Sequence, residues 1–102
     1  MYFIYILFSP SADKYYVGFT NNIGARLKKH NTQENFNTYT KKFRPWELAA
    51  LFSCGNLKED AVKIERYIKK QKSRKLIEKL IDPGFVPDGE LAQLVRVPHL
   101  RD

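Results

Sequence analysis

Two tyrosines, an arginine, a histidine and a glutamate are the side chains of this 102-residue sequence whose types and order could do chemistry together: Tyr5, Tyr16, Arg26, His30 and Glu65. Arginine grips a phosphate oxygen through its planar fork. Histidine titrates near neutrality and can take a proton from a reacting group. Tyrosine, with a reference pKa of about 10, serves as a base only where nearby positive charge lowers that value. A single glutamate suffices for a hard divalent cation such as Mg2+, which one or two carboxylates commonly hold while waters and a substrate phosphate complete the shell. Each residue also has a plainer role. Strand aromatics usually pack in the core or in cross-strand pairs. Arginine and histidine at a helix edge cover the core with their stems. A carboxylate beside an apolar stripe needs a partner, and a salt bridge provides one.

The elements that must position these residues are legible in outline. YFIYILF (2–8) and KYYVGF (14–19) are β-rich runs joined by SPSAD (9–13), which has the residues of a turn, and the three read as a hairpin. Period two puts Phe3, Tyr5 and Leu7 on one face of the first strand, and Tyr16 and Gly18 on one face of the second, with Tyr15 opposite. A register pairing Tyr5 with Tyr16 would bring both rings to the same face. TNN (20–22) supplies N-cap candidates for a helix over 22–31, whose stripe is Ile23, Arg26, Leu27 and His30. Residues 31–45 are polar and basic without a period and read as a long loop. WELAALFSC (46–54) reads as a third strand. From Leu57 a helical pattern runs to Ile81, with QKSRK (71–75) as a break into two helices. Its apolar positions are Leu57, Ala61, Ile64 and Ile68, and Glu65 lies on or beside that stripe. DPGF (82–85) stops the helix.

The totals narrow the function classes. Hydrophobic residues make up 43% and charged residues 28%, as in ordinary globular proteins. The length suits one core and not two. The single cysteine, Cys54, rules out an internal disulfide and suits a reducing cytoplasm. No apolar run approaches the roughly 18 residues of a membrane span. The opening MYFIYILFSP lacks the basic region and cleavage site of a signal peptide. The net charge is +7, and the segment 57–81 holds nine basic residues against four acids, a balance that favours a polyanionic partner.

Five features occur in one order: Phe3-Ile4-Tyr5, Tyr16-Val17-Gly18, Arg26 with His30 one turn on, YTKKFRPWEL leading into the third strand, and Glu65 followed by Lys69 in IERYIKK. Over about residues 2–83 the set resembles the GIY-YIG nuclease superfamily, and its small standalone bacterial members in particular. The resemblance implies an α+β domain over 1–83, a three-stranded antiparallel sheet flanked by helices, with the five site residues converging on one face. It implies a metal-dependent endonuclease that hydrolyses phosphodiester bonds in DNA with low sequence specificity. Glu65 would hold Mg2+ or Mn2+, which neutralises charge on the scissile phosphate and its leaving oxygen. Arg26 would hold a phosphate oxygen, Tyr16 would position water or phosphate, and the base would be Tyr5 or His30. The alternative is a nucleic-acid-binding module of the same fold with little or no catalysis. DNA is the expected partner, RNA the other option, and DNA repair, recombination or a mobile element the expected setting. The sequence departs from the pattern at Phe3, where the first motif has glycine, and at Phe19, where some repair members have lysine. Asp82 is the nearest residue to an asparagine that many members carry beyond the last helices.

Lys28, Lys29, Lys41, Lys42, Arg44, Lys69, Lys70, Lys72 and Arg74 are expected to form a rim of phosphate contacts, or else a solvated face. Such contacts give affinity without sequence information. No zinc-finger spacing or basic zipper is present, so target choice would rest on DNA structure or on a protein partner. The tail over 84–102 departs from the style of the rest. GELAQLVRVPHLRD resembles the conceptual translation of a tRNA gene, and we expect a read-through appendage, with Leu91, Leu94 and Val95 able to dock on the core. Its deletion from residue 87 is expected to leave folding and activity nearly intact.

Overall fold

The continuous apolar run of the first strand already says where it must lie, because a strand without alternation is buried on both faces. In the computed structural model, which describes residues 1–98, β1 (Phe3–Ser9) is an inner strand between β2 (Lys14–Thr20) and β3 (Glu47–Ser53). Ile4 and Ile6 point to one core, and Tyr5 and Leu7 to another. A β-bulge between the partners of Ile6 and Leu7 shifts the β1–β3 register by one residue.

The helices divide between the two faces. α1 (Ile23–Thr32) and the short α2 (Thr38–Lys42) belong to the Tyr5 side, where Ile23 and Leu27 pack with Leu7, Trp46 and Leu51. α3 (Lys58–Gln71) and α4 (Arg74–Ile81) cover the other side, where Ala61, Ile64, Ile68 and Leu80 pack on Ile4, Ile6, Val17 and Phe52. The break expected at 71–75 falls at Lys72, which takes a left-handed conformation (φ 48°), and Ser73 then caps α4 by accepting from the Leu76 N–H at 3.1 Å.

Three sequence expectations need correction. The sheet has four strands, not three: β4 (Val95–Arg96) pairs with β3 and gives the order β2-β1-β3-β4. The stretch 31–45 is not all loop, because Asn37 caps α2 by accepting from the Thr40 N–H. In the hairpin, Tyr5 pairs with Gly18, and Tyr16 pairs with Leu7.

Part of the tail is built into this frame; residues 99–102 lie outside the described residues. Leu91 and Leu94 are buried in the α3–α4 core. Gln93 donates to the Cys54 carbonyl at 2.6 Å. Arg96 donates to the carbonyls of Leu80 and Asp82 at the end of α4, at 2.6 and 2.8 Å. Leu94→Ala is therefore expected to lower unfolding stability by roughly 2–5 kcal/mol, as for a buried leucine, and deletion from residue 87, which removes Leu91 and Leu94 together, is then expected to destabilise the fold rather than leave it nearly intact. A loss below about 1 kcal/mol in urea unfolding would show instead that the segment docks without supporting the core.

Candidate active site

Tyr5 and Tyr16 meet on one face because the difference between the expected and the observed register is two residues, and an even shift keeps every side chain on its own face. Their ring centroids are 6.4 Å apart. The pairing of Tyr5 with Gly18 gives that glycine its purpose. A Cβ built on Gly18 would fall among the ring atoms of Tyr5, so only glycine lets the phenol lie across the edge strand.

α1 brings the next two groups. The Asn22 side chain caps the helix by accepting from the Ala25 N–H at 3.1 Å, and Ile23 and Leu27 fix its apolar face. This aims His30 inward, 1% exposed. The half-buried Arg26 lies one turn earlier, its guanidinium 5.3 Å from the centre of the Phe36 ring.

A chain of hydrogen bonds joins these groups. The Tyr5 hydroxyl and His30 Nε2 are 2.8 Å apart, and His30 Nδ1 and Thr40 Oγ1 are 3.0 Å apart. The Thr40 hydroxyl donates to the Asn37 carbonyl at 3.5 Å, so its oxygen is left to accept from His30 Nδ1–H. The Nε2 lone pair then accepts from the Tyr5 O–H. The Asn37 side chain extends the chain to the second tyrosine, donating from Nδ2 to the Tyr16 hydroxyl at 3.2 Å. Asn37 and Thr40 were not among the site residues expected from sequence. The one available signal was the Asn-x-x-Thr spacing of a helix cap inside an otherwise aperiodic stretch.

The electrostatics follow from burial and from the charges around the site. Burial first, then Tyr16 and Glu65, raises the Tyr5 hydroxyl above its ordinary pKa, while the Arg26 charge opposes the rise. Burial first, then the positive charges of Arg26, Arg44 and Lys69, lowers His30 to about 4. His30 is thus neutral in the folded protein at pH 7, whereas the unfolded chain takes up a proton near 6.5. Because the folded pKa is the lower one, stability is full above pH 6.5 and falls as the pH drops toward 4, by roughly 3 kcal/mol for this group. Urea unfolding between pH 7 and 4 should show that decline in the wild type, with a smaller slope in His30→Gln; equal slopes would refute the assignment.

Glu65 arrives from the other side of the edge strand. α3 places Ile64 and Ile68 in the core behind β2. Lys69, one turn beyond Glu65, lies with Nζ 4.9 Å from the centre of the Tyr16 ring and 3.6 Å from a Glu65 carboxylate oxygen. The Glu65 side chain is 18% exposed. Among the described residues no group of three or more His, Cys, Asp or Glu could hold a metal. The carboxylate at the site, Glu65, is the donor type that Mg2+ or Mn2+ takes where water and phosphate complete the shell.

All five expected site residues thus lie around one spot, and the expected basic rim divides. Lys28, Lys29, Lys42, Lys70 and Lys72 are exposed. Lys41 pairs with Glu34 and holds that carboxyl below its usual range. Arg44 donates to the His30 and Gln33 carbonyls, each at 2.7 Å, and so fastens the end of α1. Arg74 holds Asp13 across the hairpin turn at 2.7 Å. Asp82 ends α4, and its carboxylate accepts from the Gly84 N–H at 3.0 Å.

Two comparisons with known proteins agree with this geometry. A "UPF0213 protein" of Limosilactobacillus reuteri (strain DSM 20016) is 34% identical over 84 residues, covering 81% of this chain and 85% of that protein. The GIY-YIG catalytic domain family matches residues 1–78, a span that contains both tyrosine motifs, the Arg26–His30 helix and Glu65. With a match over most of its length and the motif side chains gathered at one place on the sheet, the chain belongs to the GIY-YIG catalytic domain family.

Proposed function

We propose that this protein is a divalent-metal-dependent endonuclease that hydrolyses phosphodiester bonds in DNA with low sequence specificity. The observation that carries the reading is the Tyr5–His30 hydrogen bond, flanked by Arg26 and Glu65. It bears on the choice of base. Both ring nitrogens of His30 are engaged, one by Tyr5 and one by Thr40, so no nitrogen is left for a water. The Tyr5 oxygen keeps a lone pair while it donates. Tyr5 is then the group that takes a proton from the attacking water, as its own proton passes to Nε2. Arg26 is the neighbour whose charge favours the tyrosinate and whose fork can hold a phosphate oxygen. Tyr16, oriented by Asn37, positions water or phosphate. Mg2+ or Mn2+ on Glu65 would neutralise charge on the scissile phosphate and its leaving oxygen, and would reverse the sign of the field that Glu65 puts on Tyr5.

One observation favours a second reading. Tyr5 and His30 are each 1% exposed, as a hydroxyl–imidazole pair kept only for packing would be, and a binding module without catalysis would look the same there. The test is nicking of supercoiled plasmid. The nuclease reading expects nicking with Mg2+ or Mn2+ and none with a chelator. Absence of nicking, with salt-dependent DNA binding retained, would select the binding module.

A further inference from the structure

An open groove of about 370 Å³ runs beside the candidate site, between the hairpin turn and the α3–α4 junction. Its charged lining is Lys14, Lys69, Lys72, Arg74 and Asp13, and the Asp13 carboxylate is taken by Arg74. Tyr39 also lines it. Its side chain is one of the few large apolar groups left exposed, at 41%, and its ring is 6.2 Å from Tyr16 and 5.2 Å from Phe43. Lys69 belongs to both places, lining the groove while it lies over Tyr16. Groove and site are therefore continuous.

Lys72 is the second peculiarity. It occupies a left-handed position that suits glycine (φ 48°), with a side chain that makes no ion pair among the described residues. A non-glycine residue there costs free energy. A strained position beside a site is a reason to look for a use of the side chain.

We infer that this groove takes the DNA strand on one side of the scissile phosphate as unpaired nucleotides, with a base stacked on Tyr39 and phosphates on Lys72 and Lys14. An aromatic face within a row of lysines is the arrangement that holds a single strand without reading its sequence, since every base has a π-face. A base still paired in a duplex cannot lay its face on the ring. The inference rests on the nuclease reading only for its placement at the scissile phosphate.

The test measures binding of a single-stranded oligonucleotide carrying 2-aminopurine, in chelator, so that nothing is cut. Binding by the wild type should quench the fluorophore. Tyr39→Leu should lose the quench and bind at least about fivefold more weakly. Lys72→Gly relieves the backbone, so its unfolding midpoint should stay or rise while affinity falls and the salt slope shrinks by about 0.7. A wild-type quench and affinity in Tyr39→Leu, or a wild-type affinity and salt slope in Lys72→Gly, would overturn the assignment. Plasmid nicking without these binding effects would remove the groove and leave the nuclease. The binding effects without nicking would keep the groove and remove the nuclease.

Discussion

Replacement of Glu65 by glutamine is expected to lower Mg2+- or Mn2+-dependent plasmid nicking by at least about a hundredfold, the scale on which loss of one preorganised electrostatic group is felt. The amide keeps the shape and hydrogen-bonding reach of the side chain and removes the charge that a hard cation needs. The fold should hardly respond. The contact that Glu65 makes is an i,i+4 pair with Lys69 at 3.6 Å, and Lys69 is 44% exposed, so the pair is worth at most about 0.5 kcal/mol. Binding should separate from cutting as well. Without metal, Glu65 places a negative charge where a phosphate must come, so Glu65→Gln should bind DNA in chelator as tightly as the wild type or more tightly. Nicking by the variant within a fewfold of the wild type would sink the metal assignment.

The parts of the fold legible in the sequence are those with a period or a cap. The hairpin, the third strand, the Ile23–Thr32 helix and the break near Lys72 follow from β-rich runs, a turn segment, i,i+4 stripes, the TNN cap candidates and the QKSRK interruption. The fourth strand is two residues long and lies before a proline in a stretch with no alternation, so nothing in it could signal pairing with Phe52 and Ser53. Its place is set by Leu94, by Gln93 on the Cys54 carbonyl and by Arg96 on the end of α4, all of them contacts between distant parts of the chain.

The site divides on the same principle. Face assignment survives an error in register because the strand period is two, and so Tyr5 and Tyr16 could be placed together before their partners were known. The meaning of Gly18 depended on which residue lies opposite it, and that is a matter of register. Asn37 and Thr40 lie in a polar stretch whose composition says only loop, yet they fix the tautomer of His30 and the orientation of Tyr16. A residue that acts by holding another has no type or spacing of its own to betray it. For the same reason Arg44, read as a phosphate contact, turns out to hold the carbonyls at the end of α1 with two of its N–H groups.

Tyr5→Phe should then separate chemistry from packing at the centre of the site. The phenylalanine ring can still lie across Gly18 and fill the space beside Leu7, Trp46 and Leu51, so the core loses no volume. What is lost is the hydroxyl, which leaves His30 Nε2 as a buried acceptor without a donor, at a cost of about 1–3 kcal/mol. If the pair serves packing alone, that destabilisation is the whole effect, and single-turnover cleavage by the folded variant stays within threefold of the wild type. If Tyr5 takes the proton from water, cleavage falls by roughly a hundred- to ten-thousandfold, the range of a lost general base. In the variant His30 Nε2 can no longer draw a proton from water through the Tyr5 oxygen, the route by which it acts in the wild type. The measurement is cleavage rate against unfolding free energy for the same preparation, and the large drop in rate with a small drop in stability is the expected result.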